Sequence, residues 1–184
     1  MNKEQVKTLL KYARSSIEAR FENKDFEPKE VPKELTIKRG VFVTLTINKT
    51  LRGCIGRVNP TPLWKGVIKA ARSSAFSDPR FTPLSKEEYK QTNIEISILS
   101  KPYKTTLKQI KKGDGVIISK SHNNALFLPQ VWEQLPDKKE FIQQLSLKAG
   151  LESIEEAKFE KFGVEAWKEL SPNGDVTLTK PVNP

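Results

Sequence analysis

Along the first part of the chain the spacing of apolar residues changes period twice. Between residues 2 and 21, Val6, Leu9, Leu10, Ala13 and Ile17 recur every three or four positions among Lys and Glu, which predicts an amphipathic helix. Residues 22–35 are charged, contain Pro28 and Pro32, and read as an exposed connection. From residue 40 to 47 the period is two. Val41, Val43, Leu45 and Ile47 point one way and Phe42, Thr44 and Thr46 the other, the pattern of a strand with one buried face. Asn48-Lys49-Thr50 reads as a turn, and residues 51–58 return as the second strand of a hairpin. Thr61 as N-cap and Pro62 at the first helical position predict a helix to about Phe76, with Leu63, Val67, Ala70, Ala71 and Ala75 inward. Asp78-Pro79 ends it, because a residue before proline avoids the helical region.

The second half is more broken. Ser85 to Glu88 is a capping box for a short helical turn. Ile94, Ile96 and Ile98 alternate with Glu95 and Ser97 as a third strand, which Pro102 stops. Residues 106–112 predict one or two helical turns, and Gly113-Asp114-Gly115 a turn. Val116–Ser119 and Ala125–Leu128 flank the polar turn Lys120–Asn124, so residues 113–128 should form a hairpin with His122 at its exposed tip. Asp137 to Glu140 signals a helix start, Phe141, Leu145 and Ala149 its core stripe, and Gly150 its end. One last strand is expected near Phe159–Trp167, with Phe162, Val164 and Ala166 on one face, and residues 171–184 as a loose tail. Hairpins interrupted by helices, without strict alternation, predict an α+β fold with a largely antiparallel or mixed sheet and flanking helices.

Composition narrows the chemistry. No apolar run approaches the roughly 18 residues of a membrane span, and the N-terminus lacks the apolar core of a secretory signal, so the expectation is cytoplasmic. One cysteine and one histidine exclude an internal disulfide framework and offer no structural zinc site; no cofactor is implied. The net charge of +10 comes from two blocks. Residues 31–72 carry nine basic side chains and one acidic, and residues 101–129 carry six and one. Such blocks attract nucleic acid, phosphorylated ligands or an acidic protein, or simply solvate the surface. Aromatic platforms for bases are scarce, with Trp64 and Trp132 left over from the core patterns.

The stretch Leu51-Arg52-Gly53-Cys54-Ile55-Gly56-Arg57 is the oddest. Two glycines weaken a strand unless something approaches the backbone or the strand bulges. In a regular strand Arg52, Cys54 and Gly56 share a face, and a guanidinium near a thiol favours thiolate. Cys54 is therefore a candidate nucleophile or redox residue, against the plainer reading of a small core residue. The segment lacks the spacing of a phosphate loop or of a dinucleotide fingerprint. Asp78-Pro79-Arg80-Phe81 presents an Asp and an Arg on a rigid turn, to orient a ligand, to pair with Arg52 or to fix the turn itself. Glu95 is either an ordinary solvent-face residue or a carboxylate pointing into a cleft. His122, on a polar turn, is poorly placed to serve as a base for Cys54.

With Leu51-Arg-Gly-Cys-Ile-Gly56 as its core motif, the chain resembles the AMMECR domain family over about residues 1–170. The resemblance runs through Phe42-Val-Thr-Leu45, Ala75-Phe-Ser-Asp-Pro-Arg-Phe81, Ile94-Glu-Ile-Ser-Ile-Leu-Ser100, Gly113-Asp-Gly-Val116, Phe127-Leu-Pro-Gln-Val-Trp132 and Lys148-Ala-Gly-Leu151, in order. It implies one domain over residues 1–170, with a larger lobe from both chain ends, a smaller lobe from the middle and a cleft between them. The cleft would be lined by Arg52, Gly53, Cys54, Gly56, Asp78, Arg80, Gln130 and Trp132. It also implies a place as the first component of a three-part system with a Memo-like protein and a radical SAM enzyme. Many relatives carry a second cysteine near Ser146, so a two-thiol mechanism is not expected here. The resemblance names no reaction. Three functions therefore stand open: an enzyme or enzyme subunit acting on a small molecule or protein partner, an adaptor without catalysis, and a nucleic-acid-binding module. In the first, Cys54 is the nucleophile or proton donor, Arg52 and Arg80 bind anions, and Asp78 orients.

Overall fold

The computed structural model describes residues 1–180. It is α+β and divides into two compact units, one of Met1–Leu99 and the segment from Glu165, the other of Ser100–Val164. The first unit contains α1 (Lys3–Phe21), β1 (Lys38–Ile47), β2 (Thr50–Pro62), α2 (Leu63–Phe76), α3 (Lys86–Lys90) and β3 (Thr92–Leu99). Most of β8 (Val164–Glu169) and β9 (Val176–Lys180) complete it. Its sheet has the order β2-β1-β3-β8-β9. Val41, Val43 and Leu45 of β1 and Ile94, Ile96 and Ile98 of β3 are buried on one face, under the apolar stripes of α1 and α2. The opposite face carries Phe42, Thr44, Thr46, Glu95 and Ser97, all half-buried. The β1–β2 turn is closed by Asn48 and Lys49, both at positive φ (49° and 65°), as the twist of a two-residue hairpin requires.

Three boundaries differ from expectation. Strand β2 runs on to Pro62, paired with Lys38, and helix α2 begins only at Leu63. Thr61 gives no capping bond; the Leu63 N–H is instead satisfied by the Ile37 carbonyl at 2.9 Å, so the neighbouring strand entry does the work of the cap. The single strand expected over residues 159–167 is two, β7 (Lys158–Phe162) and β8, in different sheets. They part at Gly163, whose backbone exchanges bonds with Ser100. The expected loose tail is corrected as well: Ser171 to Asp175 turn back, with Asn173 at φ 59°, and β9 pairs with β8. Residues 181–184 lie outside the described residues.

The second unit holds β4 (Tyr103–Thr105), β5 (Gly115–Lys120), β6 (Asn123–Phe127), α4 (Lys138–Lys148) and β7, in a sheet of order β4-β7-β5-β6. Val116, Ile118 and Phe159 pack against Phe141, Ile142 and Leu145 of α4. Asp137 caps α4 by accepting the Glu140 N–H, and Gly150, at φ 69°, ends it with the paired carbonyl bonds of a Schellman turn. His122 is exposed at the β5–β6 tip.

The first core encloses one ion pair. Arg14 of α1 donates from Nε and Nη2 to the two oxygens of Glu169 (2.8 and 2.6 Å), and Nη2 also reaches the Thr92 carbonyl. Glu169 further accepts the Ile94 N–H at 2.8 Å. This ties α1, β3 and β8 together inside the core, where breaking one partner strands the other. Glu169→Ala is expected to lower unfolding stability by about 3–5 kcal/mol in denaturant titration, and Arg14→Met combined with Glu169→Leu to recover most of the loss. Equal losses in the single and double variants would show that packing, and not the stranded charge, sets the penalty.

Candidate functional site

Strand β2 lies at the free edge of its sheet, and its motif departs from a regular ladder at Arg52 and again at Ile55. Arg52 is the extra residue of a bulge between the pairs Leu45–Gly53 and Thr46–Leu51. A Cβ on Gly53 would stand 2.1 Å from the Ser74 carbonyl oxygen of α2, so this position must be glycine for the helix to sit where it does. Val43 and Ile55 are register partners, yet the Ser74 hydroxyl stands between them. It accepts the Ile55 N–H at 2.8 Å and donates to the Val43 carbonyl at 2.7 Å. Gly56 answers a different need: a Cβ there would meet the Phe42 ring at 2.4 Å. The two glycines thus answer close approaches to the strand, by the Ser74 carbonyl at Gly53 and by Phe42 at Gly56.

Between them Cys54 turns its N–H and C=O to the edge, and the Asp78–Arg80 turn takes both. Asp78 Oδ2 accepts the Cys54 N–H at 2.8 Å, and Arg80 Nη2 donates to the Cys54 carbonyl at 3.3 Å. The two side chains are locked to each other by Nε to Oδ1 (3.0 Å) and Nη2 to Oδ2 (2.7 Å). Asp78 is buried, and the hydrogen bonds from Arg80, with those from the backbone N–H groups of Cys54 and Arg80, hold its carboxyl well below the usual carboxylate range in spite of that burial. Arg80 is 54% exposed, so the outer side of its guanidinium faces solvent.

The thiol faces away from the core. Cys54 is the register partner of Thr44, whose Oγ1 lies 3.2 Å from Sγ, and Thr44 is in turn the partner of Glu95. Thiol, hydroxyl and carboxylate form one row across β2, β1 and β3, on the face opposite the helices. Cys54 is half-buried, which corresponds neither to an enclosed core thiol nor to a bare one.

Arg52 does not go to the thiol or stand free for an anion. Nε and Nη2 make a two-point pair with Glu88 (2.8 and 2.9 Å), and Nη2 also donates to the Thr82 carbonyl. The bulge removes the strict alternation that would have set Arg52 beside Cys54. Phe81 has both guanidinium groups near its ring, Arg52 at 5.7 Å and Arg80 at 5.5 Å. Glu88, Ser74 and Thr44 were not singled out from sequence. Glu88 was visible only as a capping-box residue, and it serves there too, accepting the Ser85 N–H.

Gln130 and Trp132 belong to the second unit. Gln130 is exposed on a short 3-10 turn. Trp132 is 3% exposed, stacks on Phe141 at 3.9 Å and 9°, and donates Nε1–H to the Asp114 carbonyl. It is a core residue, which corrects its assignment to a cleft lining or a base-stacking platform. Trp64 is half-buried against the first core with the Lys65 ammonium 5.1 Å from its ring centre. Among the described residues no cluster of His, Cys, Asp and Glu has the arrangement of a metal site, and no helix is long and apolar enough to cross a membrane.

A sequence model of the AMMECR1 family matches residues 10–167. The chain belongs to the AMMECR1 family. Protein NEQ441 of Nanoarchaeum equitans is 41% identical over 155 residues, 78% of this chain and 86% of that one. A protein of Pyrococcus abyssi is 40% identical over 190 residues, 91% and 92% of the two chains. The crystal structure of uncharacterized protein PH0010 from Pyrococcus horikoshii superposes with a TM-score of 0.81 at 36% identity, covering 98% of this chain and 99% of that one. The names of these three relatives state no reaction.

Two expectations follow from the geometry. Gly53→Ala forces strand and helix apart and should lower stability by about 1–3 kcal/mol, measured by thermal unfolding; an unchanged midpoint would mean that α2 shifts freely. Hydrogen bonding from Arg52 pushes the Glu88 carboxyl down to about 2 from an ordinary 4.5. A depressed carboxylate stabilises the fold above its unfolded pKa and loses that contribution as pH falls through its folded value. The stability gap between the native protein and Glu88→Gln should therefore be constant near neutrality and close between about pH 4.5 and pH 2. A gap independent of pH over that range would mean that the pair adds nothing through charge.

Proposed function

We propose that this AMMECR1-family protein is an enzyme, or the substrate-binding subunit of one, whose reacting group is the Cys54 thiol. It acts on a small molecule or a protein group that carries an anionic moiety held by Arg80. The observation that carries this reading is the clasp itself. A buried carboxylate and a guanidinium are spent on fixing the peptide of one half-buried cysteine, and the same guanidinium keeps its outer side in solvent. A fixed peptide fixes the direction of Cα–Cβ, which is what a nucleophile or proton donor needs for an attack geometry held within a fraction of an ångström. Thr44 adds a hydroxyl in hydrogen-bond contact with sulfur, able to hand a proton on or to hold the thiol in one rotamer. Asp78 is a positioning residue in this reading, Arg80 both a positioning and a binding one, and Arg52 supports the turn through Glu88 and Thr82.

The test uses alkylation of the folded protein. Iodoacetamide should label Cys54 without denaturant, and iodoacetate, which carries an anion, should gain relative to iodoacetamide compared with free glutathione. Arg80→Gln should remove that gain, and Arg80→Lys, which keeps the charge, should retain part of it. A thiol that reacts only after unfolding would overturn the enzymatic reading and favour an adaptor that docks Memo-like or radical SAM partners.

A further inference from the structure

Among the described residues, one carboxylate of the motif face has no ion pair. Glu95 is half-buried on β3, two strands from Cys54 in the same row, and accepts one long bond from the Thr179 hydroxyl at 3.3 Å. It forms no ion pair with any described side chain. Its neighbours in the unit are matched: Asp78 has Arg80, Glu88 has Arg52 and Glu169 has Arg14. The chain carries ten more positive than negative charges, so a partner for Glu95 was not in short supply. A half-buried carboxylate without a counter-charge attracts a cation that can reach it.

Arg80 lies at the free edge of β2, with Nη2 on the Cys54 carbonyl, at the opposite end of the row from Glu95. Strand spacing of about 4.8 Å puts Glu95 roughly 10 Å from Cys54 across the face, with Thr44 between them. The row therefore offers a cation at one end, a carboxylate at the other and a thiol inside. We propose that the Cys54 site takes a bipolar substrate of the amino-acid type, its anionic group on Arg80 and its ammonium or guanidinium on Glu95. The group that reacts is held over sulfur between the two. This inference rests on the reading of Cys54 as the reacting residue.

The experiment compares three methanethiosulfonate reagents on the full chain, one neutral, one bearing trimethylammonium and one bearing sulfonate, each rate normalised to glutathione. A unit charge about 10 Å away in a water-like dielectric changes the local concentration of a charged reagent by about twofold. In the native protein both charged reagents should exceed the neutral one. Glu95→Gln should lower the cationic-to-neutral ratio to that of glutathione and leave the anionic-to-neutral ratio high. A second measurement needs no variant. ω-Amino acids of four to seven carbons should protect native Cys54 from the neutral reagent at several-fold lower concentration than the matching carboxylates or amines. A cationic ratio that Glu95→Gln does not move, or protection by no ω-amino acid beyond its one-charged counterparts, would overturn the bipolar substrate. A native thiol that the neutral reagent cannot label would instead overturn the reading of Cys54 itself, so the two failures are distinct.

Discussion

The Asp78 carboxylate, buried at the free edge of a five-stranded sheet and holding the N–H of Cys54, is the constraint on which the motif depends. An edge strand presents unpaired backbone groups that would otherwise bind water or another chain. Here a turn from the end of α2 supplies a carboxylate for the N–H and a guanidinium for the C=O, and so stands in for a missing strand over one residue. The arrangement requires a charge at both ends: Asp78 alone would be a buried anion, and Arg80 alone would leave the N–H open. It also requires α2 to stop where it does and to lie close enough that Gly53 cannot carry a side chain.

From this clasp the other features follow in order. The Ser74 hydroxyl opens the β1–β2 ladder and rejoins it, which lets the bulge at Arg52 sit beside Gly53. The bulge sends Arg52 to Glu88 of α3, and the same guanidinium donates to the Thr82 carbonyl under the turn. Phe81 lies against both guanidinium groups. The face that carries Cys54, Thr44 and Glu95 is half-buried, and the outer side of Arg80 is exposed.

Much of the fold was legible because the buried stripes are regular. Val41-Val43-Leu45 and Ile94-Ile96-Ile98 alternate without interruption, and α1 and α2 keep three- and four-residue spacing, so periodicity alone places them. The failures share a cause, long-range pairing that local sequence does not encode. Pro62 reads as a helix start, but the Ile37 carbonyl and the pairing with Lys38 extend the strand to it. Residues 159–167 read as one strand because alternation says nothing about a change of sheet at Gly163. Ser171-Pro-Asn-Gly174 reads as a tail and is a hairpin turn, because β8 offers an edge to β9.

The site was legible in part. The structure sets Cys54, Asp78 and Arg80 side by side, whereas Arg52 pairs with a carboxylate visible only as a helix cap, and Trp132 belongs to its own core. Thr44 carried a signal, its place on the polar side of β1, that gains meaning only once register sets it opposite Cys54. The most direct measurement of the clasp is amide hydrogen exchange at Cys54. The account predicts protection comparable to inner strands although β2 is an edge, falling to that of an open edge in Asp78→Ala while the Leu45 and Ile96 amides keep theirs. A Cys54 amide that exchanges rapidly in the native protein, or that is equally protected without Asp78, would contradict it.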